Sequence, residues 1–128
     1  MKLLLDTHAL LWWFTDDPQL SKSALAAVLD ESNDIFVSAA SAWEVATKYR
    51  LGKLPEARDV FPRFEELVAA DGFEFIPVSH RHGLRAGSYQ ITHADPFDRM
   101  LAAQVELEGM VLVTKDSALA DFPIRTLW

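Results

Sequence analysis

The chain has 128 residues, half of them hydrophobic, which predicts one folded domain over residues 1–128 with a real core and excludes a disordered chain. It has no cysteine, which excludes disulfides, thiolate zinc sites and cysteine nucleophiles. No apolar stretch is long enough to span a bilayer, so we expect a cytoplasmic protein without membrane contact. The formal net charge of −7 argues against a simple basic surface for nucleic acid, although an acidic site could hold a cation that meets phosphate.

The first predicted element is a strand at the amino terminus that ends in an acidic residue. The run Lys2–Leu5 is short, apolar and uninterrupted, as is typical of a strand covered on both faces. Asp6 follows at the carboxyl end of this strand, where ligands bind in open α/β sheets. Considered alone, Asp6 is better explained as the N-cap of the helix that begins next.

The helical segment after Asp6 is apolar on nearly all sides. It carries Trp12, Trp13 and Phe14, so it is either deeply buried or partly covered by another chain. Together with Trp43 further along, these aromatic residues predict a partner-binding surface, because exposed aromatic patches usually mark protein contacts. A place in the core explains any one of them equally well.

The rest of the chain alternates predicted helices with predicted strands. Strands are predicted at 34–38, 73–78, 110–114 and 124–127, and helices at 21–31, 39–51, 56–70, 80–85 and 97–108. Pro62 predicts a kink or a late start in the helix at 56–70. This alternation predicts a three-layer α/β/α fold with a mainly parallel central sheet covered by helices on both faces.

Acidic residues fall at corresponding places in this alternation: Asp6, Glu44, Asp98 and Asp116. In a parallel sheet all of them lie toward the carboxyl edge, where they repel and raise one another's pKa unless a cation is present. Mg²⁺ is the natural cation, because it prefers oxygen ligands and is held by a few carboxylates together with substrate phosphate. Such a site can activate water and stabilise charge on a phosphodiester.

Each of these carboxylates also has a simpler explanation. Glu44 and Lys48 have the i, i+4 spacing of a helical salt bridge. Asp98 in the first turn of a helix is favoured by the helix dipole, and Asp116 could cap the short turn after it. Taken singly, these explanations are preferred, whereas four carboxylates at one edge together favour a metal site.

Other polar residues near these positions are weaker candidates. Thr7 and Thr114 could orient ligands or water, although both are ordinary turn residues. Asp95 is interpreted as a turn or supporting residue, and Arg99 is the basic residue best placed to contact phosphate. His93 could act on the substrate, but a loop histidine is more often only solvated.

The sequence blocks LLLDTHALLW, SAASAWEVATKYRLGKL, HADPFDRMLAAQ and LVTKDSAL, in that order, resemble a PIN domain. More narrowly, they resemble the VapC-type toxins of bacterial toxin–antitoxin pairs. The resemblance covers essentially the whole chain, and its acidic set falls on Asp6, Glu44, Asp98 and Asp116. Asp98, and not Asp95, matches the family position because it precedes the small-residue helix face.

The resemblance implies a magnesium-dependent endoribonuclease, with Mn²⁺ as a substitute, that hydrolyses RNA phosphodiesters with metal-activated water. It also implies a homodimer and a small antitoxin that lays an apolar segment near Trp12 and Trp43 and places an Arg among the carboxylates. Two alternatives remain. A haloacid dehalogenase-type phosphatase would need a second Asp where His8 stands, and a non-catalytic PIN-like module would bind RNA or protein only.

Overall fold

The computed structural model describes residues 1–128 and contains one parallel sheet of five strands. The strands are β1 (Lys2–Leu5), β2 (Asp34–Ser38), β3 (Glu74–Ile76), β4 (Val111–Val113) and β5 (Arg125–Leu127). Their order across the sheet is β3-β2-β1-β4-β5, and every neighbouring pair is parallel. β1 is therefore the central strand, which explains why its leucines are fully buried.

Helices connect the strands and cover both faces of the sheet. They are α1 (Thr7–Phe14), α2 (Lys22–Leu29), α3 (Ala39–Leu51), α4 (Pro55–Val60), α5 (Phe64–Ala70), α6 (His80–Ser88) and α7 (Pro96–Glu108), with 3₁₀ turns at Phe61–Arg63 and Ser117–Asp121. None of these helices combines the length and the apolar character needed to cross a membrane.

The pleat of β1 divides the core into two layers. Leu3 and Leu5 point to one face, where they pack with side chains of α1, α2 and α5. Leu4 points to the opposite face, where it packs with side chains of α6 and α7. The predicted three-layer α/β/α fold with a parallel central sheet is confirmed.

A third apolar cluster joins α1, α3 and α4 beside these layers, through Leu11, Val45, Ala57 and Val60. It fixes α3 against α1, so that the side chains of α3 that face inward are held at the carboxyl edge of the sheet. α3 also contacts α7. The last residue of β2, Ser38, is linked to α7 by a buried hydrogen bond of 2.6 Å from its Oγ to Gln104 Oε1.

The predicted element bounds differ from the structure mainly where proline intervenes. β1 and β2 have the predicted bounds, whereas β3, β4 and β5 are shorter than predicted. The helix predicted over 56–70 is broken into two at the predicted proline, because α4 ends at Val60 and a 3₁₀ turn containing Pro62 separates it from α5. Proline lacks the N–H that a continuous helix would need at that point.

Candidate active site

The structure places the acidic residues of interest at the carboxyl edge of the sheet. Asp6 follows β1, Asp116 comes shortly after β4, and Glu44 lies on α3, the helix that follows β2. Asp98 occupies the first turn of α7. Each carboxylate is thus positioned by a strand end or a helix start, as the alternation of elements predicts.

Asp6 serves as a helix cap and faces the other acids as well. Its Oδ1 accepts a hydrogen bond of 2.8 Å from the Ala9 N–H, which confirms that Asp6 is the N-cap of α1. The side chain is buried, and burial raises the pKa of Asp6 to about 6, while the Thr114 side chain and the Ala9 N–H oppose this effect. The charge of Asp98 raises the pKa of Asp6 slightly further.

Glu44 pairs with Lys48, as the i, i+4 spacing predicts, but Glu44 is buried and does not lie on the surface. Glu44 is 4% exposed, and the Lys48 ammonium reaches it from one turn further along α3. The negative charge of Glu44 also raises the pKa of Asp98, so Glu44 contributes to the electrostatics of the acidic site. Burial of an acid beside a second acid costs stability unless a cation compensates, and Lys48 supplies one charge of the required sign.

One group of possible ligand atoms belongs to His93, Asp98 and Asp116, with one atom of each residue within 4.8 Å of the others, and Asp6 and Glu44 lie outside this group. His93 Nε2 lies 2.9 Å from Asp98 Oδ2, and since an ionised carboxylate can only accept, the imidazole donates. The pKa of Asp98 is raised by burial first and by Asp95 and Glu44 next, while His93 lowers it. Asp116 is exposed and accepts a hydrogen bond of 2.9 Å from the Ala118 N–H.

His93 is the residue whose importance sequence reasoning underestimated. The sequence predicts a solvated loop residue with a minor chance of contacting substrate, whereas the structure brings His93 against Asp98 with its side chain only 15% exposed. The sequence signal was present in its position, five residues before Asp98 in HADPFD. That spacing alone could not show that the loop folds back onto the start of α7.

The weaker candidates divide into residues that touch the site and residues that support it. The Thr114 Oγ1 accepts a hydrogen bond of 3.1 Å from the Asp116 N–H. The Thr114 side chain also lowers the pKa of Asp6 through a hydrogen bond, so Thr114 contacts two of the acids. Thr7 is buried and donates a hydrogen bond of 3.1 Å to Ser41 Oγ, which ties α1 to α3. Asp95 caps α7 by accepting from the N–H of Phe97 and that of Asp98, at 2.9 and 3.2 Å.

The expectation that Arg99 contacts phosphate is corrected. Its guanidinium donates hydrogen bonds of 2.8 to 3.0 Å to the backbone carbonyls of Ala86, Tyr89, Ile91 and His93. These contacts use Nε and both terminal nitrogens, so most of the donors of the guanidinium are already hydrogen-bonded to the backbone. Arg99 therefore fixes the segment that carries His93.

Replacing Arg99 with Lys should destabilise the protein by roughly 3 kcal/mol, because one ammonium cannot reach carbonyls that a planar fork spans and some are left unpaired. Urea unfolding monitored by circular dichroism measures this difference. Replacing the exposed, unbonded Arg50 on α3 with Lys is the matched control and should shift the unfolding midpoint little. An unchanged midpoint for Arg99→Lys would show that these four contacts contribute no net stability.

The structure separates the aromatic residues that were predicted to bind a partner. Trp12 is only 7% exposed and packs against Trp128 at 5.8 Å between ring centroids, so its assignment to an exposed partner-binding surface is corrected. Trp13 is half-buried, and its Nε1–H donates to Asp71 Oδ2 at 2.8 Å. Trp43 is 63% exposed and is the tryptophan left open to solvent.

The donor set fits a hard divalent cation. Asp6 and Asp98 are carboxylates whose pKa values are raised chiefly by burial, so in the isolated chain their negative charge is poorly compensated. Asp116 adds an exposed carboxylate close to Asp98, and His93 holds the Asp98 carboxylate by a hydrogen bond. A set of carboxylate oxygens suits Mg²⁺ or Mn²⁺.

The sequence and the fold are similar to those of known proteins. A family model described as the PIN domain matches residues 3–124. Over 69 residues the chain is 39% identical to Ribonuclease VapC16 of Mycobacterium tuberculosis, an alignment that covers 51% of this chain and 49% of that relative. The chain therefore spans about half the length of the curated relative it matches.

Solved structures share the whole fold at low sequence identity. VapBC2 from Rickettsia felis, bound to a DNA fragment from its promoter, superposes with a TM-score of 0.74 at 17% identity, covering 99% of this chain and 98% of that one. FitAcB from Neisseria gonorrhoeae gives 0.71 at 19% identity, covering 98% and 96%. A toxin–antitoxin complex from Klebsiella pneumoniae gives 0.61 at 16% identity, covering 98% and 96%. At these identities the likeness establishes the fold.

Proposed function

This chain belongs to the PIN domain family, and from that premise we propose that residues 1–128 form a metal-dependent endoribonuclease that acts as the toxin of a toxin–antitoxin pair. The observation that supports this function most directly is the acidic group at the carboxyl edge of the sheet, where the Asp98 and Asp116 carboxylates lie within 4.8 Å and the charges of Asp98 and Glu44 raise the pKa values of Asp6 and Asp98 respectively. The identity with a ribonuclease over 69 residues supports the choice of RNA as substrate.

Asp6, Asp98 and Asp116 would hold Mg²⁺, with Mn²⁺ as a substitute, and Glu44 would add its charge from α3. When bound, the cation makes water a stronger acid and stabilises negative charge on the phosphodiester. The remaining residues of the site fix its geometry. His93 orients the Asp98 carboxylate by donating to it at 2.9 Å, and Thr114 is placed between Asp116 and Asp6.

The inhibitory partner is an antitoxin that meets two surfaces of the chain. The first is an apolar cavity of about 650 Å³ between α1, α2 and α5, with acidic groups at its rim; it is lined by Trp13, Phe14, Leu20, Leu25, Leu29, Asp16, Asp17 and Asp71 among others. Trp12 also lines this cavity, although it is mostly buried, so the apolar segment would mainly contact the more exposed side chains around it. The second is the acidic group itself, where an Arg from the antitoxin would pair with the carboxylates and take the place of the cation's charge.

The net charge of −7 supports a basic partner, because opposite charge speeds association and favours the correct pair. The neighbour from Klebsiella pneumoniae is a toxin–antitoxin complex, which supports an antitoxin as that partner. The homodimer implied by the resemblance stays a prediction.

The test of this function is RNA cleavage by the purified chain. Activity should be absent with chelator, return with Mg²⁺ or Mn²⁺, and fail with Ca²⁺, whose looser geometry positions water poorly. Products should carry a 5′-phosphate and a 3′-hydroxyl, and the antitoxin should suppress the reaction. Cyclic phosphate ends formed without added metal would indicate attack by the ribose 2′-hydroxyl and would sink the proposal.

Two further assays separate the alternatives. A non-catalytic PIN-like module would bind RNA without cleaving it at any metal concentration in a titration. A phosphatase of the haloacid dehalogenase type would instead hydrolyse a small phosphate monoester and leave RNA intact.

A further inference from the structure

An aromatic pair, with Trp43 exposed and Phe97 half-buried, lies next to the acidic residues of α3 and α7. Trp43 directly precedes Glu44 on α3, and Phe97 directly precedes Asp98 on α7. Their ring centroids are 4.8 Å apart with an interplanar angle of 67°, an edge-on contact. Each member of the Trp43–Phe97 pair is therefore adjacent in sequence to a carboxylate of the site.

The Trp43–Phe97 pair leaves a large aromatic surface available at a fixed orientation. An edge-on contact covers little of a ring face, and 63% of Trp43 remains exposed. The neighbouring exposed pair Tyr49 and Phe61 behaves differently, since these rings stack at 22° and 4.5 Å and cover each other's faces. Trp43 is thus held by Phe97 while it remains able to stack on something else.

The positive charges next to the site carboxylates are already engaged within the chain. Lys48 pairs with Glu44, and Arg99 donates to four backbone carbonyls. Lys115, the residue before Asp116, lies over the Trp12 ring at 5.6 Å from its centroid. Nucleic acids are usually held by free lysines and arginines on their phosphates, and here that contribution is weak at the site itself. Stacking is the interaction that could replace it.

We propose that the Trp43–Phe97 pair is a stacking subsite for one unpaired nucleobase next to the scissile phosphate. A phosphodiester at the carboxylates brings an adjacent base within reach of Trp43, because the Trp43–Phe97 contact joins α3 and α7 at the turns that carry Glu44 and Asp98. A base inside a duplex has both faces covered and cannot stack there. The substrate is consequently single-stranded RNA, or an RNA loop, with little preference for the identity of the stacked base. This inference rests on the proposed ribonuclease function.

A four-way comparison tests the subsite. Cleavage of a single-stranded RNA oligonucleotide is measured for the wild type and for Trp43→Ala, each with the normal RNA and with an RNA that is abasic beside the cleavage position. Trp43→Ala should lower kcat/KM by about 5- to 150-fold, the range that stacking of one base supplies. The abasic change should cost the wild type a similar factor and cost Trp43→Ala almost nothing. Annealing the RNA to its complement should suppress cleavage by the wild type.

The controls separate stacking from damage to the fold. Trp43→Phe keeps an aromatic face and should retain most activity, and Leu51→Ala removes another exposed apolar side chain of α3, about two turns away, without effect. Equal kcat/KM for Trp43→Ala and the wild type would overturn the subsite. So would a loss confined to antitoxin affinity, which would make Trp43 a protein contact.

A binding measurement distinguishes failure of the subsite from failure of the proposed function. Fluorescence anisotropy of labelled single-stranded RNA on the Asp98→Asn protein needs no cleavage. Weaker binding on adding Trp43→Ala would support the subsite even if the wild type cleaved no RNA. Unchanged binding would overturn the subsite even if the wild type cleaved RNA well.

Discussion

Asp98→Asn is expected to lower RNA cleavage by a factor of roughly a hundred to a thousand or more, the loss typical of removing one electrostatic contact made to the reacting groups. Asp98 lies among other charged groups of the site, since Glu44 and Asp95 raise its pKa and His93 donates to it. Asparagine has nearly the same volume and removes only the charge. Initial cleavage rates at saturating Mg²⁺ measure the effect.

The fold should survive this substitution. The pKa of Asp98 is raised mainly by burial, so its ionised form is disfavoured in the folded state, and asparagine removes that cost. Asp34→Asn is the matched control, because Asp34 is an exposed residue at the start of β2, on the opposite edge of the sheet. Wild-type rates for Asp98→Asn, or an equal loss for Asp34→Asn, would show that the site has been misplaced.

The positions of the carboxylates could be predicted from the sequence because they depend on the backbone. Once apolar runs define parallel strands, their carboxyl ends meet at one edge, and Asp6 and Asp116 must lie there. Glu44 and Asp98 follow from helical spacing near the starts of α3 and α7. The resemblance to the PIN domain covers the same positions, and the family match confirms its fold.

The roles of His93, Arg99 and Trp12 could not be predicted, because they depend on side-chain packing. Arg99 is beside Asp98 in sequence, but its side chain turns away to bind the carbonyls of the segment before α7. That segment has no periodic pattern from which its path could be predicted, so His93 could not be placed. Trp12 is buried partly by Trp128, a contact between the two ends of the chain that local pattern cannot show.

The same residues also show why simpler and functional explanations of an acid need not compete. Asp6 caps α1 and Asp116 caps a 3₁₀ turn, each with one carboxylate oxygen. A carboxylate has a second oxygen with further lone pairs, so an acid that caps a helix at the sheet edge keeps an oxygen with which it could bind a cation. Capping is therefore one way in which the fold fixes the acidic group.

Asp6→Asn is expected to stabilise the metal-free protein at neutral pH by up to about 3 kcal/mol, the value of two pKa units. Burial raises the pKa of Asp6 from 3.8 to about 6 in the folded state. The folded protein therefore binds more protons than the unfolded chain between these values, and its stability falls as pH rises through them. Asparagine can still accept the hydrogen bond from Ala9, so the helix cap is kept.

Unfolding in urea with chelator present, repeated from pH 4 to pH 8, measures this difference. The two proteins should be similar near pH 4, where Asp6 is protonated, and should diverge through pH 6, with the variant more stable above it. Addition of Mg²⁺ at pH 7.5 should reverse the order, because the cation stabilises the wild type through Asp6 and the variant has lost that ligand. A stability difference that is constant with pH would show that Asp6 is not held as a buried charge, and Mg²⁺ that stabilises both proteins equally would remove Asp6 from the metal site.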